Sequence, residues 1–144
     1  MIQAVIDTNV LLSSIAKLDE TRWVYDSFAN EEFCWVFSNE ILTEYTEMLC
    51  WKYTERTAEI VTSILLIAEN TRRFEPTYKY QLIEIDPDDN KFVDCAIGAN
   101  VDCLVTADKH ILELRKIQGL FPPVPILTPV EFRRLLDSMR YKNL

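Results

Sequence analysis

Apolar residues fall along this chain in two alternating patterns. Some form short unbroken runs; others recur every three or four positions. Ile2–Gln3–Ala4–Val5–Ile6 is a short run that reads as a buried strand, and residues 9–17 and 19–29 then carry helical spacing. Cys34–Trp35–Val36–Phe37 is a second short buried strand. Ser38 caps a helix whose apolar positions are Ile41, Leu42, Tyr45, Met48 and Leu49. A further helix over about 55–69 presents Ile60, Val61, Ile64, Leu65 and Ala68. Arg72, Arg73, Pro76 and Lys79 mark a polar connection, and Leu82–Ile83–Glu84–Ile85 reads as a short edge strand. Asp86–Pro87–Asp88–Asp89–Asn90 is a turn that opens a helix to about Ala99. A strand at 103–105, a short helix and an edge strand over Val124–Pro125–Ile126–Leu127 follow, with prolines that suit an edge. Thr128-Pro129-Val130-Glu131 is a capping box with proline at the first helical position, and it opens a last helix to about Met139. Strands alternating with helices imply an α/β fold with a mainly parallel sheet.

Two of these strands run into an acid. Ile6 is followed by Asp7, Thr8 and Asn9; the 103–105 strand passes through Thr106 and Ala107 to Asp108. In a parallel α/β sheet the carboxyl ends of strands face the crevice where ligands bind. Helix geometry sorts the other acids at about 100° per residue. In the helix after Ser38, Glu44 lies roughly 100° from the centre of the apolar stripe, at its border, whereas Glu40 and Glu47 lie roughly 140–160° away towards solvent. After Pro87, Phe92, Val93, Ala96, Ile97 and Ala99 define the inward face. Asp89 projects within roughly 20–30° of that face's centre and Asp94 falls on the opposite side. Asp89 also sits at the helix N-terminus, where the dipole favours a carboxylate. Asp88 remains an alternative for the cap, and Asp88 or Asp94 an alternative ligand.

The candidate constellation is therefore Asp7, Glu44, Asp89 and Asp108. Like charges about 4 Å apart repel by roughly 1 kcal/mol in water and roughly 4 kcal/mol at an effective dielectric near 20. Four gathered carboxylates need a counterion, and no Lys or Arg pattern near all four supplies one. Mg²⁺ or Mn²⁺ would, since these hard ions take oxygen ligands and keep waters for chemistry. Such a site can activate water and hold a phosphodiester in line. Thr8, Asn9 and Thr106 are short polar residues placed to orient the carboxylates.

Composition narrows the picture. The chain has 144 residues, 49% of them hydrophobic and 26% charged, an ordinary globular balance and about one domain's worth. No apolar run reaches the ~18–20 residues of a membrane span, and strand residues follow Met1 directly in place of a basic leader, so the expected location is cytoplasmic. Cys34, Cys50, Cys95 and Cys103 form no Cys-x-x-Cys pair and read as small buried hydrophobes with reduced thiols. The net charge of −8 counts against nonspecific nucleic-acid binding, but not against an enzyme that reaches phosphates through a bound cation. Only two glycines are present, too few for a Gly-rich phosphate loop. His110 is the only histidine and reads as a solvated residue beside the site. Trp23, Trp35 and Trp51 read as core or interface. Arg133, Arg134, Arg140 and Lys142 make the last helix basic, a solvated face that could also steer an anionic ligand or meet acidic residues of a partner.

Five blocks, in this order, resemble the PIN-domain ribonucleases, and most closely a bacterial branch of toxins from toxin–antitoxin pairs. They are Val5-Ile6-Asp7-Thr8-Asn9, the run from Ser38 to Tyr45, the run from Asp86 to Phe92, Leu104-Val105-Thr106-Ala107-Asp108-Lys109, and the run from Ile126 to Phe132. The resemblance covers nearly the whole chain. It implies a three-layer α/β/α fold with a mainly parallel central sheet in a single domain over 1–144. Its metal-binding acids fall on Asp7, Glu44, Asp89 and Asp108. It further implies Mg²⁺- or Mn²⁺-dependent cleavage of RNA, a homodimer or higher oligomer, and a small antitoxin that blocks the site. One departure is Ala107, where the family usually has Gly or Asn in the turn that presents Asp108.

Other functions fit less well. A haloacid-dehalogenase-type phosphatase also begins with a strand-end Asp but needs a second Asp two residues on, where Asn9 stands. A receiver domain needs an acidic pair before the acceptor Asp. The serious alternative is an RNA-binding or partner-binding PIN module with little or no nuclease activity.

Overall fold

The computed structural model describes residues 1–117 and 124–142. Five strands form one sheet, β1 (Ile2–Ile6), β2 (Phe33–Phe37), β3 (Thr71–Arg73), β4 (Cys103–Val105) and β5 (Ile126–Leu127), in the order β3-β2-β1-β4-β5. Every neighbouring pair is parallel, with Ala4 level with Trp35 on one side and Cys103 on the other. The helices are α1 (Thr8–Ile15), α2 (Arg22–Ala29), α3 (Asn39–Lys52), α4 (Glu55–Ile67), α5 (Asn90–Gly98), α6 (Lys109–Glu113) and α7 (Pro129–Lys142). A parallel sheet must be covered on both faces, which is why its central strands read as unbroken apolar runs. Ala4, Val5, Ile6 and Val36 are fully buried.

Connections from β1 outward to β3 run one way across the sheet, and those from β3 to β4 and on to β5 run the other way. Right-handed crossovers in opposite directions place their helices on opposite faces. On the first face, Phe28 of α2, Tyr45 of α3 and Phe132 of α7 pack edge-on or tilted against Phe33 and Trp35 of β2, with ring centroids 5.1–6.3 Å apart. On the other, α5 packs on β1, β2 and β4. The expected α/β/α layering with a parallel sheet is the observed one.

Several local expectations are met and others corrected. Ser38 caps α3 by accepting the Ile41 N–H at 3.2 Å. The Thr128–Glu131 capping box closes in both directions, at 3.0 and 3.3 Å. The last helix continues past Met139 to Lys142. Arg72 and Arg73 belong to β3 rather than to a connection, with Arg72 and Arg73 level with Val36 and Phe37. Arg72 also fastens the sheet to α5, donating to Gln3 Oε1 at 2.7 Å and to the Ala99 carbonyl at 2.9 Å. Leu82–Ile85 is not a strand. Asn90 supplies the strand-like partner instead: its side chain accepts the Ile83 N–H and donates to the Ile83 carbonyl, both at 2.9 Å. Cys95 and Cys103 are buried as expected, but Cys34 is half-buried and Cys50 exposed. Trp35 lies in the core, whereas Trp51 is 77% exposed. On α7, Arg140 grips Glu32 through two hydrogen bonds of 2.6 and 2.7 Å and Arg133 lies over the Trp23 ring, so part of the basic run ties α7 to the body of the fold. Among the described residues no helix is long and apolar enough to cross a membrane.

Asn70 is a buried joint. Its amide donates to the carbonyls of Phe28 and Phe33 at 2.9 and 3.0 Å, holding the end of α2 to the start of β2. Asn70→Ala takes this donor from the Phe33 carbonyl, while the Phe28 carbonyl still accepts the Glu31 N–H, and it should cost about 1–2 kcal/mol, given roughly 1–3 kcal/mol for a buried group left unpaired. Urea unfolding measures it; a cost below about 0.5 kcal/mol would mean that another donor reaches the Phe33 carbonyl.

Candidate active site

The strand order reverses between β1 and β4, so the connections leaving their carboxyl ends part to opposite faces and open a crevice. Asp7 follows β1 directly, and Asp108 stands three residues past the end of β4. The Asp7 N–H still donates to the Val105 carbonyl at 2.9 Å, which holds the two strand ends in register. Thr106 links the two acids through one hydroxyl: Oγ1 donates to Asp7 Oδ2 at 2.8 Å and accepts the Asp108 N–H at 2.9 Å. Asp108 caps α6, accepting the N–H groups of His110 and Ile111 on Oδ1. No position beside Asp108 requires a left-handed backbone, since the described non-glycine residues with positive φ are Glu31, Gln81 and Asn100. Ala107 therefore fits its turn without strain.

Glu44 reaches the crevice from α3. The next residue, Tyr45, is fully buried, accepts the Trp35 indole N–H at 3.2 Å and donates its hydroxyl to the Ile6 carbonyl. That hydroxyl fixes α3 against the end of β1 and so sets Glu44 relative to Asp7. The Thr8 hydroxyl donates to Glu44 Oε2, and the Lys91 ammonium lies 2.7 Å from Oε1. Lys91 is the finding that sequence reading missed. A cation does reach this cluster, but it serves Glu44 and leaves the other carboxylates without one. The pair is largely covered, with side chains 15% and 24% exposed. Thr8 and Thr106 thus orient carboxylates as expected; Asn9 is exposed, and its side chain bonds to none of the four.

Asp89 sits where the 3₁₀ turn Pro87–Asp89 joins α5. It makes no side-chain cap bond to α5, and its Oδ2 is the described buried side-chain oxygen with no hydrogen-bond partner. Burial pushes its carboxyl up from 3.8 to about 7, with Asp108, Asp86, Asp7 and Glu44 each adding repulsion. Burial likewise raises Asp7 from 3.8 to about 6; Asp108 and Glu44 add to this and the Thr106 hydroxyl opposes it. The four acids expected from sequence thus feel one another's charge, and the structure brings them together. Asp88 is exposed. Asp94 does not face solvent as its helical angle suggested. It is buried under the segment before α5 and accepts the Tyr80 N–H at 3.0 Å, away from the centre. Asp86 joins from the turn, and Asp86, Asp89 and His110 each offer a ligand atom within 4.8 Å of the others.

These residues fit a hard divalent cation. The donors are carboxylate oxygens, two of them carry raised pKa values that a cation would reverse, and one oxygen is buried with no protein donor. Asp7, Glu44, Asp89 and Asp108 would hold it. Beside Glu44 a groove of about 950 Å³ opens between α3 and α5, with Asn39, Thr43, Lys79 and Lys91 among its walls.

A parallel sheet with acids gathered at its switch point places carboxylates at the crevice where α/β proteins bind their ligands. The chain belongs to the PIN-domain family, whose model matches residues 3–110. Three solved structures share the fold. VapBC2 of Rickettsia felis, bound to a DNA fragment from their promoter, is 15% identical with a TM-score of 0.61, covering 88% of this chain and 98% of the other. VapC20 of Mycobacterium tuberculosis, a sarcin–ricin loop cleaving toxin, is 13% identical with a TM-score of 0.59, covering 85% and 99%. FitAcB of Neisseria gonorrhoeae is 16% identical with a TM-score of 0.56, covering 88% and 97%. No curated protein matches the chain by sequence.

Proposed function

We propose that the chain is a divalent-metal-dependent endoribonuclease and the toxin of a toxin–antitoxin pair. The single observation that carries the reading is the convergence of Asp7, Glu44, Asp89 and Asp108, with Asp89 Oδ2 buried and unpartnered. Membership of the PIN-domain family supports nuclease chemistry, and a fold neighbour that is a sarcin–ricin loop cleaving toxin supports RNA as the substrate. The VapBC2 and FitAcB neighbours support the toxin reading. An antitoxin, a second copy of this chain and the RNA are the proposed partners.

Mg²⁺ or Mn²⁺, when bound by the four acids, would supply an activated water and offset charge on the phosphodiester. The chain's own residues do the positioning. Thr106 fixes the Asp7 carboxylate and Thr8 fixes that of Glu44. With carboxyls raised to about 6 and about 7, Asp7 and Asp89 hold a proton part of the time near neutral pH and would release it on binding a cation. Lys91 offers its ammonium at the wall of the groove, where an RNA phosphate would pass.

Cleavage of a mixed RNA pool tests this, with wild type and Glu44→Gln, each in Mn²⁺ or in EDTA. Wild type should cleave in Mn²⁺ alone and Glu44→Gln should lose at least about 100-fold, the scale of a lost electrostatic group. RNA retained but not cut by wild type would favour the binding-module reading. Equal cleavage by both proteins would trace the activity to a contaminant.

A further inference from the structure

We infer that the exposed indole of Trp51 is a stacking platform for an unpaired base of the RNA, two helical turns from Glu44 along the wall of the groove. The inference rests on the nuclease reading for the identity of the ligand, but its readout is binding rather than cleavage.

The placement follows from helix geometry. Glu40, Thr43, Glu44 and Glu47 of α3 line the groove. They recur at three- and four-residue intervals and so form one stripe along the helix. Trp51 stands four residues past Glu47 and seven past Glu44. Seven steps of 100° bring it within roughly 20° of Glu44, about 10 Å further along the axis. The ring therefore continues the groove wall by one more turn. That distance is about three stacked nucleotide steps at roughly 3.4 Å each, and fewer in an extended strand.

The other two indoles have partners within the fold. Trp35 packs against Phe28, Phe33 and Tyr45, and Trp23 lies on Phe132 beneath Arg133. Trp51 is 77% exposed. A lone apolar side chain at a surface needs no explanation, but this one ends the stripe that carries Glu44.

Charge gives that ring its importance. Phosphate contacts supply most of the sequence-independent affinity of nucleic-acid binding, and here they are scarce. Lys79 and Lys91 line the groove, and Lys91 is already engaged by Glu44. Glu40, Glu47, Glu84 and Asp88 share the same walls and repel a phosphate. A net charge of −8 adds no long-range attraction. The grip on a strand must then come from its bases, which are uncharged and stack on an aromatic ring whatever their identity. A duplex keeps its bases stacked inside, so the platform selects an unpaired segment.

The test titrates the full chain with labelled oligoadenylate and with a sugar–phosphate strand that lacks bases. Ca²⁺ is present as a hard, oxygen-seeking ion for the acids. Anisotropy reads affinity, and quenching of tryptophan emission reads the ring. Oligoadenylate should bind and quench, and the base-free strand should bind at least about tenfold more weakly. Trp51→Ala should weaken oligoadenylate roughly 5- to 150-fold, the range for one lost stacked base, with no change in Tm. Trp51→Phe should keep most of the affinity and lose the quenching. The log–log dependence of affinity on salt should have a slope of about −1.4, the value for two phosphate contacts on a single strand. Equal affinity in wild type and Trp51→Ala, no binding of oligoadenylate, or a slope steeper than about −3 would overturn the inference. Quenching by oligoarginine but not by oligoadenylate would overturn it too, by assigning the groove to a cationic polypeptide. So would a Trp51→Ala protein whose sedimenting mass falls while its RNA affinity holds, since the ring would then belong to a contact between copies. RNA that is bound through Trp51 but never cut in Mn²⁺ sinks the nuclease reading and leaves the platform standing; RNA that is cut with an affinity indifferent to Trp51 does the reverse.

Discussion

Asp7→Asn should abolish RNA cleavage and, at the same time, make the metal-free protein harder to unfold at pH 7.5. The two effects have opposite signs for one reason. Asp7 is 4% exposed, and its carboxyl is raised from 3.8 to about 6 by burial and by the charges of Asp108 and Glu44. At about 1.4 kcal/mol per pKa unit, holding that charge at pH 7.5 costs on the order of 3 kcal/mol. Asparagine carries no charge and keeps an oxygen to accept the Thr106 hydroxyl. Its amide must find an acceptor, which returns part of the gain, so the expected net is about 1–2 kcal/mol, or roughly 3–8 °C in Tm. Cleavage should fall by two to four orders of magnitude, because removing one charged ligand spoils the centre that stabilises the reacting phosphate. Calorimetry in EDTA beside a cleavage assay in Mn²⁺ reads both. A variant that loses cleavage and also melts lower would show that Asp7 acts through the fold rather than through its charge.

The metal-free protein should lose stability as pH rises from about 4 to about 7.5, the reverse of the usual behaviour of carboxylates. The folded state raises Asp7 to about 6 and Asp89 to about 7, against 3.8 for each when unfolded. Between those values the native protein binds more protons than the unfolded chain, so the free energy of unfolding falls as pH rises. The loss begins near the unfolded value and is complete above the folded ones. Asp7 accounts for on the order of 3 kcal/mol. Asp89 is partly solvated and adds less than its shift alone would suggest. Mn²⁺ or Mg²⁺ should reverse the trend, because a cation binds the deprotonated acids of the folded state. Urea unfolding at pH 5, 6, 7 and 8, with EDTA and with millimolar Mn²⁺, should show curves that diverge as pH rises. Parallel curves would mean that the acids do not share a cation.

Sequence made the strand-end acids legible because a parallel sheet directs its strand ends to one crevice. Asp7 and Asp108 needed only the recognition of two apolar runs. Glu44 and Asp89 needed helical angles as well, and α3 and α5 were long enough for those angles to hold. The failures share a cause. A helical wheel knows its own element and nothing of what covers it. Asp94 pointed away from the sheet, yet the segment before α5 buries it against the Tyr80 N–H. Leu82–Ile85 had the apolar character of a strand, but Asn90 took up the backbone groups of Ile83 and no sheet edge was needed. β3 was hidden because three residues, two of them arginines, carry too little apolar pattern to mark a strand. Lys91 was missed because its ammonium meets Glu44 across 47 positions of sequence, a pairing that no local spacing encodes. Cys50 and Trp51 fall near the end of α3, where an apolar residue can turn outward at no cost to the core.

The hydroxyl of Tyr45, the residue after Glu44, joins the Trp35 indole to the carbonyl of Ile6, the residue before Asp7. Structural and chemical selection therefore act on the same bolt. A substitution at Trp35, deep among aromatic rings and hydrogen-bonded to none of the four acids, would move Glu44 and Asp7 against each other and register as a change in turnover. Drift in this interior is not free to proceed silently, and the acids cannot be retuned without disturbing the aromatic layer beneath them.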